Sequence, residues 1–321
     1  MCLFKPSKLR MKKTKSKFSQ ASICFTAWLV LCLFGYQANA TDSDPRSYSN
    51  IPVGMNFLVA GYSHTAGNVA FAPSLPIKNA KINIDSAVLA YSRALDIFGK
   101  SGKVDLILPG VSLSGTAEVF GQPREREVGG FADPVARFYV NLYGAPALSI
   151  KEFADYEQDI IVGVSFAVSA PGGQYDEEKL VNIGTNRWSF KPEIGISKAW
   201  GPVTAELATG AYFFTDNNQP FRSDNLQQDP LFAAQGHLIY NFRPGIWAAF
   251  DANYYTGGLI TTDGNSADNS LENWRMGGTL SVAVHRNHSI KVFGNTGIYS
   301  RTGGNFDTVG IAWMYRWGDG F

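Results

Sequence analysis

Past residue 34 this 321-residue chain has no cysteine and no apolar run long enough to cross a bilayer as a helix. Cys2, Cys24 and Cys32 all lie in the first 40 residues. The remainder therefore has no disulfide framework, thiolate metal cluster or cysteine nucleophile. Histidine is scarce, and His64, His237, His285 and His288 are too scattered for a metal site, the last two sharing a turn. No G-x-S-x-G element marks a hydrolase nucleophile, and no loop serine has a histidine convincingly placed beside it. A basic excess is missing too. Seven of the 28 bases fall in the first 17 residues, leaving 21 against 27 acids and a net charge of −6, which removes a nucleic-acid footprint.

What the first 40 residues do contain is an export signal. Lys5, Lys8, Arg10, Lys12, Lys13, Lys15 and Lys17 precede the apolar run Ala21 to Phe34, and Ala38-Asn39-Ala40 offers small residues for cleavage. Met11 is a second candidate start. The run is short of the roughly 20 residues a spanning anchor needs, and Leu31 before Cys32 is not the small residue that lipidation requires. The expected organisation is a signal peptide over 1–40 and one domain over 41–321.

The mean hydropathy of −0.09 resembles that of a soluble protein. Strands that bury only alternate residues in lipid produce the same value, because they never build a long apolar run. After the polar start Thr41 to Asn50, β-rich segments recur between Gly, Pro, Asn and Asp. The pattern predicts twelve strands, near 53–64, 86–97, 103–118, 131–143, 160–170, 188–198, 203–214, 231–241, 246–256, 273–284, 289–299 and 308–317. Connections alternate in length. Lys198 to Pro202, Arg243-Pro244-Gly245 and His285 to His288 are tight, whereas 66–84, 171–187, 215–230 and 257–272 are long, as in bacterial barrels with short periplasmic turns and long outer loops. Gly144 to Gln158 breaks the alternation, and Ser149 to Tyr156 is expected to form one or two helical turns against the barrel base.

Successive strand side chains face opposite sides, which sorts lipid from lumen. In the last strand Val309, Ile311, Trp313, Tyr315 and Trp317 share a face against Gly310, Ala312, Met314 and Arg316. In the fourth, Pro134, Ala136, Phe138, Val140 and Leu142 oppose Asp133, Arg137, Tyr139 and Asn141; in the sixth, Phe190, Pro192, Ile194 and Ile196 oppose Lys191 and Glu193. The same alternation turns Glu206, Gln235, His237, Asp251, Asn253, Arg275, Lys291, Asn295 and Arg316 inward. A soluble β-sandwich would reverse these faces, yet it has no use for aromatics at both ends of an outward face.

Five inward bases, Arg137, Lys191, Arg275, Lys291 and Arg316, thus meet four acids, Asp133, Glu193, Glu206 and Asp251. Paired, they would fill the lumen as a polar core; lining water, they would act as a selectivity ring along the solute path. Twelve strands enclose a space between the filled eight-stranded barrel and the open porin. The run Asp176-Glu177-Glu178 is a solvated loop or a weak calcium site, although the alternating oxygen ligands of a calcium loop are missing.

Several phrases carry a family resemblance: Gly130-Phe131-Ala132-Asp133-Pro134, Asn182-Ile183-Gly184-Thr185-Asn186-Arg187-Trp188, Lys191-Pro192-Glu193, Gln228-Asp229-Pro230-Leu231, Gly245-Ile246-Trp247, Tyr255-Thr256-Gly257-Gly258, Trp274-Arg275-Met276-Gly277 and Arg301 to Thr308. Across nearly all of 41–321 the chain resembles the family associated with the MetA pathway of phenol degradation. The resemblance implies an outer-membrane, channel-like protein linked to uptake of aromatic compounds, with no catalytic residues. It also implies that Gly130 and Asp133-Pro134 shape the start of a strand, that Gly303-Gly304 adopts the positive φ of a tight loop, and that Arg187 anchors a loop or meets an anionic substrate.

The expectation is therefore an all-β fold, a closed antiparallel transmembrane barrel of about twelve strands in the Gram-negative outer membrane. It would act without enzyme activity, cofactor or metal, admitting small aromatic or otherwise hydrophobic solutes by passive diffusion. Its expected partners are those solutes, membrane lipid and the barrel-insertion machinery that reads the C-terminal strand ending at Phe321, with nucleic acid excluded. The rivals are a structural or envelope-interaction barrel whose lumen is closed by ion pairs, and an outer-membrane hydrolase.

Overall fold

The computed structural model describes residues 44–70, 77–266 and 269–318; the expected signal peptide and Phe321 lie outside the described residues. Twelve strands form a closed ring: β1 (Asn56–Ala70), β2 (Ile77–Ile97), β3 (Lys100–Val119), β5 (Val135–Tyr143), β6 (Ile160–Ser169), β7 (Ser189–Trp200), β8 (Val203–Phe214), β10 (Leu231–Arg243), β11 (Ile246–Gly257), β14 (Leu271–His285), β15 (His288–Ser300) and β16 (Gly303–Trp317). All neighbours are antiparallel, and β1 pairs with β16 from Asn56↔Trp317 to Ala70↔Gly303, closing the barrel. Closure matters because an open edge in hydrocarbon would leave backbone N–H and C=O groups without partners. Short turns gather at one end, where the last strand also finishes, and long loops gather at the other.

The expected faces are realised. On the outside Phe138, Leu142, Ile194, Leu207, Phe232, Leu238, Phe250, Val309 and Ile311 are exposed, with Trp188, Trp200, Trp274 and Trp313 among them. Inside, Arg137, Asn141, Lys191, Glu193, Glu206, Gln235, His237 and Arg275 are buried. An apolar belt outside and a polar interior define a transmembrane β-barrel.

Two expected features need correction. The segment 66–84 is not a loop through most of its length: β1 runs to Ala70 and β2 begins at Ile77. Asn68, Lys81 and Asn83 face outward there while Val69, Ala80 and Ile82 face inward, an inverted pattern that a wall standing clear of lipid permits. The strand expected at 131–143 is the lower half of an interrupted one. A hairpin strand, β4 (Gln122–Phe131), pairs with the loop-end half of β3; Ala132, Asp133 and Pro134 break the run, and β5 pairs with the other half of β3. Pro134 cannot donate to a ladder. The long connection at the turn end holds one 3-10 turn, Glu152–Asp155, within the stretch expected to be helical. Ser149 and Glu152 bond reciprocally there, the Glu152 carboxylate accepting from the Ser149 N–H at 2.9 Å and from the Ser149 hydroxyl at 2.7 Å.

At the loop end, β9 (Leu226–Gln228), β12 (Ile260–Thr262) and β13 (Asn265–Ser266) make a separate three-stranded sheet that joins the loop after β8 to the loop after β11. Asn269 bonds both backbone groups of Ile260 and so fixes the second of these loops to the sheet.

Candidate functional site

Inward side chains change character along the barrel axis. Near the loop end they are apolar. Val69, Ala80, Ile82, Leu113 and Phe306 form one buried cluster, and Tyr212, Leu231, Ala233, Tyr255 and Leu271 form another. The midsection is polar and closely paired. Lys191 meets Glu193 at 2.8 Å, and Gln235 donates to the same carboxylate at 2.9 Å. His237 Nδ1 lies 2.7 Å from Asp251, whose other oxygen accepts from Thr279 at 2.7 Å. Arg137 donates to the Tyr139 hydroxyl at 2.6 Å, and the Lys103 ammonium sits 4.2 Å from the Tyr139 ring centre.

The chain ahead of β1 occupies this polar midsection. Tyr48, 2% exposed, donates to Glu193 at 2.9 Å and meets Tyr139 edge-on at 5.9 Å. The Arg46 N–H donates to Glu206 at 2.7 Å, and its guanidinium lies over Trp247. Asp44 accepts from Lys291 at 2.8 Å. Room for the tyrosine comes from two inward glycines: a Cβ on Gly195 would fall 2.2 Å from the ring, and one on Gly163 would fall 2.7 Å from it. Toward the turn end Asn50 donates to the Pro146 carbonyl and Val53 N–H to that of Leu148, which tie the segment to the long connection.

Of the nine residues expected along the solute path, Arg137, Lys191, Glu193, Glu206 and Asp251 converge on this network. Lys291 reaches it through Asp44. Arg275 lies nearer the loop end, bonded to Asn295 and to the Phe306 carbonyl at 3.4 Å. Arg316 sits at the turn end, donating twice to the Arg286 carbonyl at 3.0 and 2.8 Å, and Asp133 sits at the loop end. Sequence reasoning missed Lys103 and Asp105, which lie 3.4 Å apart on β3, and the whole segment Asp44–Asn50. The strand pair was findable from its alternation in β3; the segment was not, because its partners lie far away in sequence.

Asp133 organises the loop end. One oxygen accepts the Gly173 N–H at 2.9 Å, and the other accepts the Thr185 N–H at 2.9 Å and hydroxyl at 2.6 Å. These bonds hold the 170–188 loop, so the implied shaping of a strand start by Asp133-Pro134 extends to the loop beside it. Two residues past Thr185, Arg187 is 3% exposed. Its Nη2 donates to Gln228, its guanidinium carbon lies 4.5 Å from the Phe214 ring centre, and Phe214 stacks on Tyr212. Burial draws this guanidinium down to about 10, against the pull of Asp133 and Asp216. Within the same loop Asp176 accepts the Glu178 N–H and itself donates its N–H to Asn182, a side-chain-stabilised turn. Among the described residues no group of three or more His, Cys, Asp or Glu is arranged to hold a metal.

An apolar exterior, a polar lumen and a closed antiparallel ring place the protein in the class of outer-membrane-type β-barrels. Residues 60–315 match the family described as "Putative MetA-pathway of phenol degradation", and the chain belongs to that family. Its fold is similar to the crystal structure of an outer membrane channel from Pseudomonas putida F1, with 19% identity, a TM-score of 0.75, and coverage of 86% of this chain and 100% of that one. Looser likenesses are to the beta domain of the Bordetella autotransporter BrkA (9% identity, TM-score 0.49, 82% and 100% covered) and the translocator domain of autotransporter NalP from Neisseria meningitidis (8%, 0.48, 92% and 98%). No curated protein matches the chain.

Proposed function

We propose that the protein is an outer-membrane channel for passive uptake of small aromatic or otherwise hydrophobic compounds, exported by a cleaved signal over 1–40 and inserted through its C-terminal strand. The observation that carries this reading is the pair of inward apolar clusters at the loop end. A passage for sugars or ions has no need of Phe306, Leu113, Tyr212 and Leu231 facing its interior, since a polar interior serves it. A compound with a ring would leave water at these clusters, each methylene-sized group buried contributing about 0.8 kcal/mol. Deeper in, Arg137, Lys191 and Lys291 lie against Tyr139, Tyr212 and Phe293, a lining suited to a ring bearing one polar group. Family membership and the fold shared with the Pseudomonas outer membrane channel support a channel.

A second reading is favoured by the N-terminal segment. With Tyr48 and Arg46 seated and Lys191 paired to Glu193, the midsection is a filled polar core, as a structural barrel would have. Uptake by proteoliposomes of phenol and benzoate, compared with glucose, separates the two. Preferential entry of the aromatic solutes supports the channel. Impermeability to every solute, with the folded barrel intact by heat-modifiable migration, would leave the structural reading. For the hydrolase reading, His237 and Asp251 supply a His–acid pair, but among the described residues His237 Nε2 bonds no hydroxyl.

A further inference from the structure

We propose that Arg187 and the ring face of Phe214 form a subsite at the loop end of the lumen that takes the carboxylate of a small aromatic acid. This rests on the channel reading and narrows it to an anionic substrate class. Arg187 precedes β7 on the same inward register as Lys191 and Glu193. It is 3% exposed, yet among the described residues its Nη1 has no hydrogen-bond acceptor. Nη2 is spent on Gln228.

The two nearby acids do not fill the gap. The Asp133 oxygens take three donors from Gly173 and Thr185, and Asp216 takes the side-chain amides of Asn225 and Gln227. A buried cation with an unspent donor is unfavourable unless an anion completes it, and a guanidinium edge matches carboxylate geometry. The surroundings also define the rest of the ligand. Phe214 lies under the guanidinium at 4.5 Å and continues into Tyr212 at 6.4 Å with the rings nearly parallel. Tyr212 packs in the apolar cluster with Leu231, Ala233 and Leu271. An anionic head at Arg187 therefore places an attached ring against apolar wall, whereas a neutral hydrocarbon gains only the wall and acetate only the head.

Calorimetry on the folded, detergent-solubilised protein tests this with benzoate, benzyl alcohol and acetate. Benzoate should bind about tenfold or more tightly than either of the others, since a hydrogen bond to a charged group is worth that factor or more. Arg187→Gln should remove that advantage while leaving benzyl alcohol unchanged. Phe214→Leu, which keeps the cation, should bring benzoate down toward acetate and covers the case in which Arg187→Gln does not fold. Equal binding of benzoate and benzyl alcohol, or benzoate binding untouched by these substitutions, would overturn the subsite. Bilayer conductance of the same preparation keeps the two claims apart. A conducting protein that ignores benzoate refutes the subsite alone, and a benzoate-binding protein that passes no ion or solute refutes the channel.

Discussion

Replacing Gly195 by alanine should dislodge the N-terminal segment from the lumen without touching that segment. Gly195 faces inward on β7, and an added Cβ would sit 2.2 Å from one Tyr48 ring atom and 2.5 Å from two more. Backbone in a ladder paired on both sides, to β6 and β8, yields less readily than a ring held by side-chain contacts alone, among them Glu193 and Tyr139. The tyrosine would therefore give up its bond to Glu193, roughly 1.5–3 kcal/mol for a charged acceptor, and its edge-on contact with Tyr139, roughly 0.5–1.5 kcal/mol. Together these shift the seated-to-displaced equilibrium by about 2–4.5 kcal/mol, a factor of roughly thirty to two thousand. In planar bilayers the variant should show larger or more frequent openings than wild type, and the Arg46 peptide bond should become accessible to trypsin. Tyr48→Ala should give the same behaviour, with Gly195→Ala adding little to it, because both changes remove one interaction. Unchanged currents together with a protected Arg46 would refute the reasoning, since the added methyl would then have been absorbed elsewhere.

The paired charges give further expectations. Lys191→Met removes the ammonium 2.8 Å from the buried Glu193 carboxylate, and breaking such a pair should cost up to roughly 3–5 kcal/mol, read as a lower urea midpoint for unfolding in detergent. Asp133→Ala removes the acceptor of three hydrogen bonds; the barrel should persist, and the 170–188 loop should become the first site of proteolytic cleavage. Lys291→Glu turns the 2.8 Å contact with Asp44 into a repulsion, so conductance should rise and anion preference fall. Loss of heat-modifiable migration without any change in ion preference would instead make Lys291 purely structural.

The strands were legible wherever lipid dictates one face, and only there. Ile194 and Ile196 against Lys191 and Glu193, or Ile311 and Trp313 against Ala312, leave no second solution, because a register slip of one residue would bury charge in hydrocarbon. Beyond the lipid that constraint vanishes. Asn68 and Lys81 face outward, Val69 and Ile82 inward, and the stretch read as a polar loop although its backbone continues both ladders. The hairpin strand β4 was hidden for the same reason, since Arg124-Glu125-Arg126-Glu127 carries no apolar face on either side. Alternation sorts side chains between the two faces of a strand but is silent on what meets them. Glu206 and Arg46 are separated by 160 residues and Glu193 and Tyr48 by 145, and nothing in the local pattern of Asp44–Asn50 distinguishes a lumen segment from a solvated leader. The glycines of β6 and β7 held the remaining clue. Gly163 and Gly195 fall on the inward register, where a β-branched or polar side chain would strengthen the strand. Two such absences side by side on paired strands, as the register Gly163↔Gly195 places them, mark a hollow in the wall shaped for something other than the wall itself. Here that hollow is filled by Tyr48.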